Sequence, residues 1–177
     1  CSNSFDLNVS YDFAEHGSVC LRLADSFRAP QGTEIYRVQR EQATADLASE
    51  KSNSFEIGVK GRLPFTAYNL AMYVMDKENI IFRDSNYFNL NGGSSSHRGM
   101  EVDLEHSFNS MVSVSFSGTY AIHRYTNDPF DQGINNDNFV SNRDNDIDTA
   151  PRLFGGARLL ISPSSKSNVE VEWTRTG

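Results

Sequence analysis

Apolar side chains recur at every second position in eight separate stretches of this chain. In residues 5–13, Phe5, Leu7, Val9, Tyr11 and Phe13 alternate with Asp6, Asn8, Ser10 and Asp12. Val19, Leu21 and Leu23 do the same against Cys20, Arg22 and Ala24. Phe55, Ile57 and Val59 follow, then Tyr68, Leu70, Met72 and Val74. Met100, Val102 and Leu104 oppose Glu101, Asp103 and Glu105; Val112, Val114, Phe116, Tyr120 and Ile122 oppose Ser113, Ser115, Ser117 and Thr119. A seventh stretch, 152–162, is less clean, because Phe154 and Leu160 fall on its polar side. The eighth sets Val169, Val171 and Trp173 against Glu170, Glu172 and Thr174. Successive strand side chains point to opposite faces of a sheet, so the pattern predicts eight strands, each with one greasy face. Residues 55–63 are expected to pair with 66–75 across a turn at Pro64, whose fixed φ and missing N–H suit that place.

The connections sort by length. Short ones at 14–17, 64, 109–110 and 163–166 alternate with long ones at 28–50, 77–95 and 124–150. Asn91-Gly92-Gly93 reads as part of a flexible loop within the second long connection. Short turns on one side and long loops on the other are the layout of outer-membrane barrels, whereas both ends of a soluble sandwich meet the same solvent. A row of three carboxylates at Glu101, Asp103 and Glu105 suits a wet lumen, and the apolar face with its aromatic residues suits lipid. The expected fold is therefore all-β: an antiparallel transmembrane β-barrel segment of about eight strands, part of a larger barrel.

Composition agrees. Only 38% of the 177 residues are hydrophobic, and no stretch approaches the ~18–20 consecutive apolar residues of a membrane helix. The chain opens on Cys-Ser-Asn-Ser, with no basic or apolar region of a signal peptide. A net charge of −7 with no basic stripe argues against nucleic acid. If 4–13 and 18–27 form a hairpin, its register places Cys1 and Cys20 too far apart for a disulfide.

Phe27-Arg28-Ala29-Pro30, with Thr33-Glu34-Ile35-Tyr36 after it, resembles the TonB-dependent outer-membrane receptors. So do Glu50-Lys51-Ser52, Phe55-Glu56-Ile57-Gly58, Asn69-Leu70-Ala71-Met72-Tyr73, Gly99-Met100-Glu101-Val102-Asp103-Leu104 and Ala150-Pro151-Arg152, in the family's order. The family places an N-terminal plug inside a large barrel. No plug, TonB-interaction segment or terminal aromatic residue is recognisable here, so the resemblance implies that residues 1–177 are a partial barrel domain lacking the plug and the final strands. An open sheet at bilayer depth leaves its edges unsatisfied, so such a piece is not expected to insert alone.

No catalytic set appears: there is no Ser/His/Asp order, G-x-S-x-G or phosphate loop, and lumenal wall explains the carboxylate row better than glycoside chemistry. Asp144-x-Asp146-x-Asp148 begins like a calcium loop but has Thr149 for its glycine and Gly155 for its glutamate. Of His16, His97, His106 and His123, no pair has metal-ligand spacing. No enzyme, metal or cofactor is expected.

The resemblance implies an outer-membrane active-transport receptor of a bacterial cell, taking up a ferric siderophore or similar iron chelate. Its partners would be the lipid bilayer and, through the missing part, the TonB complex. Haem receptors of the family carry a histidine in the loop after FRAP and an NPNL motif. Here residues 31–46 hold no histidine, and Thr44-Ala45-Asp46-Leu47 stands where NPNL would. The same loop offers Arg28, Tyr36, Arg37 and Arg40 for an anionic, partly aromatic chelate, unless the arginines only pair with Glu34 and Glu41. Two alternatives remain open at this point: a complete eight-stranded barrel serving as a structural protein or surface enzyme, and a soluble β-sandwich binding module.

Overall fold

The computed structural model describes residues 3–14, 17–36, 45–83, 87–128, 141–147, 150–164 and 166–177. Eight strands run β1 (Phe5–Ala14), β2 (Gly17–Arg28), β3 (Glu50–Leu63), β4 (Thr66–Arg83), β5 (Asn89–Ser107), β6 (Val112–Tyr125), β7 (Leu153–Ser164) and β8 (Ser167–Thr176). One helical turn, α1 (Gly32–Ile35), lies between β2 and β3. All strands join one antiparallel sheet in sequence order, with β1 and β8 as its two edges.

Register turns the local alternation into continuous rows. Val9, Leu21, Ile57, Met72, Met100, Tyr120 and Leu153 are successive cross-strand partners, so one apolar row crosses seven strands. In β7 and β8, Ile161 faces Val169, Leu159 faces Val171 and Ala157 faces Trp173. Phe154 and Leu160 fall on the polar face, as the sequence predicts.

This apolar face has nothing packed on it. Among the described residues only Ala45 and Ala121 are buried hydrophobics, while Phe5, Tyr11, Met72 and Trp173 are each more than half exposed. A sandwich buries such a face against a second sheet; here a single sheet exists, so the soluble-sandwich alternative fails. An apolar surface of this breadth needs a partner phase, and lipid is the one that accepts it. From Val112 to Ile122 the outward row of β6 rises ~33 Å along the strand, or ~25 Å once a strand tilt of about 40° is included, which matches the lipid-facing band of outer-membrane barrels. The band ends at a polar row: Asp25, Asn53, Asp76, Ser96 and Arg124 are successive register partners on the same face.

The short turns lie together at the opposite end. Leu63 pairs with Thr66 across Pro64-Phe65, and Ser164 pairs with Ser167. At the β5–β6 turn the Asn109 side-chain oxygen accepts the Met111 and Val112 amides at 2.8 and 2.9 Å, an Asx turn that closes the hairpin.

One expectation is corrected. Residues 77–95 are not a long loop: β4 continues to Arg83 and β5 begins at Asn89, leaving residues 84–88 as the connection. Asn91-Gly92-Gly93 is strand, not flexible loop. Two register irregularities between Lys77 and Ile81 put the alternation out of step there. Asn79 (φ 56°) and Gly92 (φ +121°) accommodate the kink in left-handed conformations that suit Asn and Gly.

Candidate functional site

The sequence places its candidate ligand-binding side chains on the segment between β2 and β3, and the structure shows how part of it is held. Arg28 ends β2 opposite Glu50, the first residue of β3. Its Nε and Nη2 donate to the two Glu50 oxygens, both at 2.7 Å, and its Nη1 donates to Glu34 at 3.0 and 3.1 Å. Glu50 also accepts the Ile81 amide at 2.8 Å, and Glu34 accepts the Gln31 amide at 2.7 Å at the start of α1. The Arg28 guanidinium, followed by these amide bonds, holds both carboxyls below their usual range. The two carboxylates in turn raise Arg28 above its own. Arg28, Glu34 and Glu50 thus tie the loop to both neighbouring strands.

The extended β4–β5 hairpin forms the other wall. Asn89 and Asn91 donate side-chain N–H groups to the Glu34 and Ala48 carbonyls at 2.8 and 2.9 Å, and the Ala45 amide donates to the Ile35 carbonyl at 2.9 Å. Sequence reading missed this platform because it took the hairpin for a loop. Tyr36, at the end of α1, stays 68% exposed. Its phenol is therefore available, whereas most of the Arg28 fork is already used. Arg37 and Arg40 lie outside the described residues, as do Glu41 and His16.

The described parts of the third long connection are pinned by acidic side chains. Asp146 pairs with Arg124 at 3.4 Å and with Arg152, joining the end of β6 to the entry of β7. Asp128 accepts Ser141 Oγ and the Asn142 and Arg143 amides at 2.6, 2.6 and 3.0 Å. The arginine hydrogen bonds lower Asp146, and those from Ser141 and the two amides lower Asp128. Both Asp146 oxygens are thus engaged by arginines, while Asp148 and Thr149 of the calcium-like run lie outside the described residues.

On the polar face, a shallow cleft of about 540 Å³ is lined partly by Asn69, Asp103, Glu105, Ser117 and Arg158. Asp103 accepts Ser117 Oγ at 2.7 Å and Asn69 Nδ2 at 3.3 Å, and Arg158 reaches Ser115 at 3.3 Å and Glu170 at 3.9 Å. These are wall groups satisfying one another across strands. Nearer the loop side, His97 and His123 are register partners with Nδ1 atoms 2.8 Å apart, a pair that sequence spacing did not show. Among the described residues, no group of three or more His, Cys, Asp or Glu side chains gathers as metal ligands. None of the described helices is long and apolar enough to cross a membrane, which says nothing of strands.

The family profile described as "TonB dependent receptor-like, beta-barrel" matches residues 2–174. The chain belongs to the TonB-dependent receptor barrels. Barrels of this family are outer-membrane proteins, and their work is transport rather than catalysis. The curated proteins gave no significant match. Among solved structures, the siderophore receptor PirA of Pseudomonas aeruginosa aligns with TM-score 0.75 at 18% identity, over 98% of this chain and 30% of its own. The ferric yersiniabactin uptake receptor FyuA of Yersinia pestis aligns with TM-score 0.70 at 15% identity, over 96% and 24%. The copper transporter OprC aligns with TM-score 0.72 at 14% identity, over 96% and 25%. At these identities the likeness is one of fold. This TonB-dependent receptor chain thus spans 24–30% of the length of those receptors. The same architecture serves receptors named for different cargoes, so fold alone does not choose the cargo.

Proposed function

We propose that this chain is the barrel segment of an outer-membrane active-transport receptor that imports a ferric siderophore, energised through TonB. The observation that carries this reading is the two-faced sheet: an unpartnered apolar band on one face, a polar wall on the other, short turns at one end, and at the other the extended β4–β5 hairpin with the long connections after β2 and β6. Such a wall performs no covalent chemistry. It isolates a wet passage from lipid and holds ligand-capturing loops at a fixed height. Neighbours of the same fold are named as a siderophore receptor, a ferric yersiniabactin uptake receptor and a ferric-catecholate import receptor, which supports iron-chelate cargo. The remainder of the receptor would supply the plug, the other strands and the contact with TonB.

Ligand capture falls to the loop after β2. Tyr36 offers an exposed ring, and Arg37 and Arg40 offer charge for an anionic chelate, with Arg28 as the bracket that fixes the loop base. A strain that depends on the intact receptor is expected to grow on a ferric siderophore and not on haem as sole iron source. Replacing Arg37 and Arg40 with Ala weakens chelate binding more at low salt than at high salt, because screening already weakens the contact at high salt. Growth on haem that survives these changes overturns the reading.

A further inference from the structure

His97 and His123 come from different strands, 26 residues apart, and meet on the polar face just beyond the apolar band. Their ring centroids are 5.0 Å apart with planes inclined at 58°, and their Nδ1 atoms are 2.8 Å apart. The other nitrogen of His97, Nε2, lies 2.8 Å from Oγ of Ser95, which is 2% exposed. In the tautomer whose Nε2–H is given to Ser95, His97 presents a bare Nδ1 lone pair, and His123 supplies the single proton between the rings. Fixing a ring by a hydrogen bond at its far nitrogen is how proteins orient metal-ligating imidazoles. Met75, the register partner of His97 in β4, lies beside it on the same face.

The separation, in the metal-free pair the length of a hydrogen bond between the rings, also suits one coordination geometry. With metal–nitrogen bonds of ~2.0 Å, a tetrahedral ion would need its nitrogens ~3.3 Å apart, whereas neighbouring corners of a tetragonal ion lie ~2.8 Å apart. The observed distance fits the second. To ligate, His123 needs only to move its proton from Nδ1 to Nε2, with no net change of charge. Lys77, the partner of Ser95 and so one row away on this face, opposes added positive charge and limits the affinity.

The geometry points to a two-imidazole site, His97 and His123 with Met75 beside them, for a divalent ion of the Cu²⁺ class on the wall of the passage. The ion's other corners remain open to water or to donor atoms of a small chelator. This site is independent of the iron-chelate reading and stands or falls separately from it.

The test uses the full-length receptor, purified without a polyhistidine tag and titrated with CuCl₂. Electron paramagnetic resonance of the wild-type protein is expected to show one axial Cu²⁺ centre with nitrogen hyperfine splitting. His97→Gln and His123→Gln should each weaken Cu²⁺ binding at least tenfold, and Zn²⁺ should bind the wild type more weakly than Cu²⁺. His106→Gln should leave binding unchanged, because its ring sits far along β5 beside Thr66. A wild-type spectrum without nitrogen coupling overturns the proposal without any variant, and so does equal Cu²⁺ binding by the His97/His123 double variant.

Discussion

Arg28 and Glu50 face each other across the β2–β3 pair in a two-pronged contact, Nε to Oε2 and Nη2 to Oε1, each 2.7 Å long. The same guanidinium reaches Glu34, so one cation fixes a strand end, a helical turn and the start of the next strand. Arg28→Ala leaves two mostly covered carboxylates without their partner. The expected loss is about 1–2 kcal/mol of local stability, kept modest because the Arg28 side chain is 40% exposed. Arg28→Lys should recover only part of it, since an ammonium cannot fork to both oxygens. Hydrogen exchange at residues 31–36 and 45–50 of the full-length receptor measures both, and unchanged protection in Arg28→Ala would refute the bracket.

The bracket should loosen in acid. Glu34 and Glu50 are held below their ordinary carboxyl range, chiefly by Arg28, so the unlatched segment binds more protons than the latched one. Stability from the pair is therefore fully present above the ordinary carboxylate pKa of about 4.3 and is lost as pH falls below it through the lowered folded values. The Ile81 amide, which donates to Glu50, is the local reporter. Its exchange is expected to be slow near neutral pH and, after correction for intrinsic rates, to lose protection below about pH 4. In Glu50→Gln, which keeps an oxygen acceptor but no charge, protection should be lower at neutral pH and nearly flat across this window.

The two faces of β6 should respond oppositely to charge. Val114 lies on the apolar face in register with Leu159, inside the band but nearer its turn end, so Val114→Arg is expected to destabilise the full-length barrel by about 1–3 kcal/mol. Ser115 lies on the polar face between Glu105 and Arg158, and Ser115→Arg should cost under about 1 kcal/mol because the new charge stays in water. Reversible unfolding in lipid vesicles compares them, and equal losses would mean that the faces are reversed.

Two glycines separate close backbone approach from ordinary van der Waals contact. A Cβ on Gly155 would lie 2.7 Å from the Ser117 carbonyl oxygen and 2.9 Å from Gly118 Cα, both backbone atoms of the paired strand. Gly155→Ala must therefore push β6 and β7 apart, at about 1–3 kcal/mol. A Cβ on Gly58 would meet nothing nearer than the Leu70 carbonyl oxygen at 3.4 Å. Gly58→Ala should be neutral or stabilising by up to ~1 kcal/mol through reduced freedom of the unfolded chain. The same unfolding measurement ranks the two variants.

Local alternation was enough to find eight strands, their two faces and the short turns. Alternation at i and i+2 is a local property, and a proline at 64 or an asparagine at 109 acts within its own turn. The sequence also marked the FRAP segment and Glu34 as belonging together. Tertiary structure alone decided what those residues do. Arg28 was legible as a cation for a ligand, yet its fork is filled by Glu34 and by Glu50, 22 residues away. The bulge near Asn79 broke the two-residue count, so the hairpin that supports the loop looked like loop. His97 and His123 became neighbours only when β5 and β6 settled into one register. Which side chains meet across strands depends on how far one strand slides along the next, and a shift by one residue would turn every side chain of that strand to the other face.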